Sequence, residues 1–239
     1  MIDLKKREDV SFFFFFQRGS EKRYDLGKMN VAFIPNVSKT PGEAQLKFNL
    51  LIDSPVKILN GRISGIELIN TQFMNLLDAS YSSQDIHQII ASRLTFNSTE
   101  DKLIIEETLR LNGEEKDKPI TNIFIKGPAQ IYDCLSLLYK LRAIELRQAE
   151  IVSLAVYYDQ KLYPVLVEYA YLETVDFRKS RFECRVYKLS GNNRELPILK
   201  QKIKIQSARV WVTNDANSYL VKFQIESDEG RFFGELNLP

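Results

Sequence analysis

EAQLKFNLLID, Glu43 to Asp53, sets Ala44, Leu46, Phe48 and Leu50 against Gln45, Lys47 and Asn49. A period of two sends successive side chains to opposite faces of a strand, so this segment carries one apolar and one polar face. The same habit runs outward from it. Pro55, Gly61 and Gly65 punctuate short strands around Val56–Leu59 and Arg62–Ile69. Later strands are expected at Lys102–Leu111, Ile120–Lys126, Ala149–Tyr158, Lys161–Thr174, Arg181–Leu189, Ser207–Thr213, Ser218–Ser227 and Arg231–Leu238. Turn-forming residues separate several of them at Asn112–Pro119, Ser190–Asn193 and Asn214–Asn217. Many strands at short spacing predict a mainly β, antiparallel sandwich or open barrel of about ten or more strands.

The run VSFFFFF from Val10 can be read as an export signal, a membrane anchor or a strand. A signal needs a positive flank, an apolar stretch of about 7 to 15 residues and a small-residue cleavage site. Here Glu8 and Asp9 precede the run and QRGSEKR follows it, so the reading is a strand buried on both faces, with the flanking charges guarding against edge pairing. Gly19 to Gly27 reads as a loop. Residues 1–27 are expected as an N-terminal segment holding this strand and 28–239 as a single β-rich domain. SSQDIHQIIASRL, from Ser82, shows both helical spacing and β-branched content, and the following LTFN tilts it toward strand.

One helix is expected, at about 128–142, where Ile131, Leu135, Leu138 and Leu141 form an apolar stripe and Pro128 suits the first turn. Asp133 near its start and Arg142 near its end each oppose the helix dipole favourably. Such a helix covers a sheet face or closes one end of a barrel.

Composition narrows the function. The 239 residues carry 33 basic and 31 acidic side chains, so no global field draws nucleic acid. No apolar stretch is long enough for a transmembrane helix. Cys134 and Cys184 sit among apolar residues and are read as two buried, inert thiols, with a single bridge open only if the protein is exported. His87 is the sole histidine, too little for a His-rich zinc site or an evident catalytic triad. GRISG lacks the residues of a phosphate loop, and no cofactor motif is present. Glu106 and Glu107 are adjacent in a strand and point to opposite faces, so they cannot flank one scissile bond. Lys202 and Lys204 alternate with Ile203 and Ile205, as on a solvated strand face. Tyr157, Tyr158, Tyr163, Tyr169 and Tyr171 cluster on two neighbouring strands, where they either line a groove for a ligand or pack across strands.

A motif closes the reading. Asp133-x-Leu135-Ser136-x-x-Tyr139-x-x-Arg142, then RVWVTND with Trp211, Thr213 and Asp215, and finally LVKFQIESDEGRFFGEL, resemble the bacterial domain of unknown function 3108 over roughly Gln130 to Leu238. The resemblance implies an exported, β-rich protein of the cell envelope, with no catalytic or cofactor residues to carry over. Asp133, Ser136, Tyr139, Arg142, Trp211 and Asp215 are then either a structural latch or ligand contacts. The leading expectation is a non-catalytic, periplasmic or envelope protein binding a lipid, a glycan or an envelope protein in a concave sheet. The alternatives are a cytoplasmic or membrane-associated interaction module, and an enzyme using carboxylates on a curved sheet.

Overall fold

The computed structural model describes residues 6–20, 22–36, 42–53, 61–84, 88–97, 100, 102–111, 114–125, 130–158, 161–177, 180–191, 195–198 and 201–237, with backbone alone at 177, 195–198 and 201–206. Its first half is an antiparallel meander of β1 (Glu8–Gln17), β2 (Tyr24–Pro35), β3 (Glu43–Ile52), β4 (Gly61–Asn70), β5 (Leu76–Gln84), β6 (Gln88–Asn97) and β7 (Lys102–Leu111). The short strands β8 (Glu114–Asp117) and β9 (Thr121–Phe124) share the outer side of β7. β10 (Ile131–Tyr132) then leads directly into helix α1 (Cys134–Ala143). The second half comprises β11 (Ile151–Tyr158), β12 (Lys161–Phe177), β13 (Ser180–Gly191), β14 (Glu195–Ile198), β15 (Gln201–Thr213), β16 (Leu220–Ser227) and β17 (Arg231–Leu236).

β1 joins the halves, because it pairs with β2 on one side and β17 on the other. The sheet is not closed. Its flanks are β8 and β9 at one end and β10, parallel to β11, at the other. Of the two architectures expected, the open barrel is the one present. The flanks overlap: Tyr132, Leu154 and Val156 belong to the main core around α1, whereas Ile131, Tyr157 and Leu162 belong to a second core with Leu76, Ala79, Leu94, Leu103 and Ile105. The β10–β11 end therefore tucks inside the curl, with one face toward each core.

Several expectations change. Phe12 is buried, but Phe13 and Phe15 are half-buried on the opposite face, beneath Lys28 and Arg23. The phenylalanine strand is thus central and one-sided, its charged flanks guard no edge, and β1 lies in the same sheet as the strands that follow it. Tyr24 already belongs to β2. Residues 83–94 are strand where described. The helix starts at Cys134 rather than 128, because Ile131 and Tyr132 pair with β11 and Asp133 caps it. Cys184 is buried, and burial pushes its thiol up to about 11. Cys134, at the first position of the helix, is exposed as a residue, yet burial and then the charge of Asp133 push its thiol up to about 12, and both cysteines are free. The strand at Leu76–Gln84 was not expected. The expectations on Val56–Leu59, His87 and Pro128, and on the side chains of Lys202 and Lys204, lie outside the described residues. Among those described, no helix is long and apolar enough to cross a membrane.

Candidate functional site

The register across β3 to β7 arranges the concave side chains in rows. Leu46, Glu67, Ala79, Leu94 and Ile105 form one row, and every member is sealed from solvent. The next row, Phe48, Gly65, Tyr81, Ser92 and Glu107, is half-exposed, as is the one beyond it, Leu50, Ile63, Ser83, Ile90 and Leu109. The interior therefore changes within one row from closed core to an open mouth, mixed in character: aliphatic at Leu50, Ile63, Ile90 and Leu109, polar at Tyr81, Ser83, Ser92 and Glu107. Gly65 makes the first open row possible. A Cβ there would lie 2.5 Å from the Phe48 ring and 2.7 Å from the Tyr81 ring, so only glycine lets both aromatics lean over β4.

At the boundary sits the start of α1. Asp133 accepts hydrogen bonds on Oδ1 from the Ser136 backbone N–H at 2.8 Å and the Ser136 hydroxyl at 2.7 Å, while Ser136 Oγ accepts from the Asp133 N–H at 2.9 Å. This is a reciprocal capping box. Asp133 Oδ2 accepts from the Tyr81 hydroxyl. Beside it lies Glu67, 0% exposed, with neither carboxyl oxygen hydrogen-bonded. Burial, then the charge of Asp133, holds the Glu67 carboxyl well above the usual glutamate range, so it keeps its proton. The same two causes push the Tyr81 phenol upward, which keeps it a donor. Among the described residues, no group of three or more His, Cys, Asp or Glu could hold a metal ion.

The other end of α1 is tied by opposite charges. Buried Arg142 meets Glu8 of β1 through two nitrogens, each at 2.9 Å, and donates from Nε to the Ser218 carbonyl at 2.9 Å. Its guanidinium also lies over the Tyr139 and Tyr219 rings. The Ser218 carbonyl is aimed by Asp215, whose Oδ1 accepts from Thr213 Oγ1 and from the N–H groups of Asn217 and Ser218, holding Ser218 at a φ of 49°. Partial burial opposes, but these hydrogen bonds outweigh it and lower the Asp215 carboxyl below its ordinary value. Tyr187 and Arg185 donate to the Ile144 carbonyl, the cap of the helix. Between the two ends, Tyr139 stacks on Phe33.

The sequence-predicted motif residues thus meet one helix, with one exception. Asp133, Ser136, Tyr139, Arg142 and Asp215 fasten it, while Trp211 belongs to a satellite core on the other face of the sheet, with Cys184, Val186 and Val221, and donates to Glu173. The tyrosines do not share a groove. Tyr157 joins the second core, Tyr169 stands edge-on to Tyr187 in the main one, and Tyr171 is exposed beyond a register shift in β12. Tyr163 is half-buried opposite Val156. Sequence reasoning missed Glu67, Tyr81, Gly65 and Glu8. Glu67 carried a signal: in RISGIELIN it shares the inward phase of Ile63 and Ile69, where an acid is out of place.

The plug helix, its Arg142 tie and the Asp215 turn all fall within residues 90–237, which match the model of the family described as protein of unknown function, DUF3108. The chain belongs to this family. The DUF3108 match leaves out β1 to β5, and with them Glu8, Glu67 and Tyr81. The whole fold, by contrast, is similar to a crystal structure of a β-barrel-like protein of the domain of unknown function DUF1849 from Brucella abortus, with a TM-score of 0.60 and 10% sequence identity. That likeness covers 99% of this chain and 97% of the other. A comparison with the curated proteins gives no match.

Proposed function

We propose that this DUF3108 member is a non-catalytic binding protein of the bacterial cell envelope, and that it receives an amphiphilic ligand, a lipid or glycolipid, in the mouth of its curled sheet. The observation that carries the reading is the half-exposed double row on the concave face, aliphatic at Leu50, Ile63, Ile90 and Leu109 and polar at Tyr81, Ser83 and Ser92. Ligand sites of this kind are concave, mainly apolar and marked by a few placed polar groups. Glu67 and Asp133 are the carboxyl pair that an enzyme reading would need. Both are buried, and Asp133 is already engaged by Tyr81 and Ser136, which favours a structural role.

Native mass spectrometry of protein purified from its host tests the reading. A retained lipid or glycolipid mass that disappears in Ser83→Trp, which fills the mouth, is the expected result. Protein mass alone in the wild type would refute it. Fractionation of the host cell checks the compartment. A second reading, a protein-interaction module, draws on Ile120 and Phe124, 59% and 76% exposed beside or within the flank strand β9. Its mark would be a co-purifying protein that Phe124→Lys releases.

A further inference from the structure

We propose that the buried Glu67–Asp133 pair is a one-proton lock on the plug helix: with the proton in place the start of α1 stays seated against β4 and β5, and its loss lets that end of the helix leave the interior and widens the mouth. The geometry carries this. Glu67 projects from β4 within a row sealed by Leu46 and Ala79 on either side, and its two oxygens have no hydrogen-bond partner. A neutral carboxylic acid tolerates that position far better than a carboxylate. The titratable groups facing it are Tyr81 from β5 and Asp133, Cys134 and Tyr139 from the cap and helix. Within this set no cation compensates a second negative charge, because Arg142, at the far end of the helix, is engaged with Glu8.

Asp133 is also the group that fastens the helix start, through Ser136 and Tyr81. Repulsion between two carboxylates is thus delivered directly to the cap. The sign follows. Because the folded-state value of Glu67 is raised, the lock is closed at acid pH and opens as the pH rises through that value.

Hydrogen exchange of the full chain, corrected for intrinsic rates, between about pH 5 and about pH 9 tests this. Protection of residues 134–143 in the wild type should fall toward alkaline pH by about tenfold or more beyond any fall at 29–34 in β2, which follows global stability, since tenfold corresponds to about one unit of pH linkage. Glu67→Gln, which cannot ionise, should keep the helix protected throughout. A wild-type profile for 134–143 that follows the one for 29–34 overturns the proposal without any variant. So does a Glu67→Gln protein whose helix loses protection along the wild-type curve.

Discussion

The two ends of α1 hold the same helix by opposite electrostatics. At the C-terminal end Arg142 and Glu8 satisfy each other, and a turn organised by Asp215 supplies a carbonyl as well. At the N-terminal end two carboxyl groups lie together in a sealed wall, and one of them must stay protonated. An ion pair of this kind persists over the whole range in which both partners are charged. An acid pair holds only while its proton does. The difference teaches that one helix can be anchored permanently at one end and conditionally at the other, and the conditional end is the one beside the open mouth.

Breaking the permanent end should have the largest effect. Arg142→Ala strands the Glu8 carboxylate and the Ser218 carbonyl, and should cost about 3 to 5 kcal/mol, the usual range for removing one partner of a buried pair. Denaturant unfolding measures it, and Arg142→Lys should recover only part of the loss, since an ammonium cannot span both Glu8 oxygens and the carbonyl. Next comes the wall of the mouth. Gly65→Ala forces the Phe48 and Tyr81 rings apart, with an expected loss of about 1 to 3 kcal/mol from overpacking. A double variant Gly65→Ala, Tyr81→Phe would show how much of that loss runs through the Tyr81–Asp133 bond. Smallest is Asp215→Ala, which removes one acceptor of three hydrogen bonds at the surface side of the latch and should cost about 1 kcal/mol. Because the Asp215 carboxyl is held low, that contribution is present at neutral pH and fades as the pH falls through its folded-state value, so the variant and the wild type should converge in acid.

These contrasts were unevenly legible in the sequence. The alternation in EAQLKFNLLID gave the strand and its faces correctly because burial on one side of a sheet imposes a period of two. The spacing of Asp133, Ser136, Tyr139 and Arg142 placed them on one helix and close to its ends, which was enough to expect a latch. Their partners were out of reach. Glu8 is 134 residues from Arg142, and Tyr81 is 52 from Asp133, and only the joining of the two halves through β1 and the curl of the sheet around α1 bring them together. The helix start was misjudged because the apolar stripe continues into Ile131 and Tyr132, where pairing with β11 overrides helical periodicity. The tyrosine groove failed for a related reason: the register shift between Tyr169 and Tyr171 turns the later residue outward, and no local pattern announces a bulge. Glu67 was legible in principle, as an acid in an apolar phase, and it proves to be the residue on which the conditional end depends.

The most direct test of the contrast is the difference in melting temperature between Glu67→Gln and the wild type, followed from about pH 5 to about pH 9. In the wild type, stability should begin to fall once the pH exceeds the ordinary glutamate value and continue to fall until Glu67 itself ionises, at about 1.4 kcal/mol per pH unit within that window. The glutamine variant lacks this slope, so its advantage should be small in acid and widen steadily with pH. A difference that stays constant across the range would contradict a proton-dependent seat for the helix.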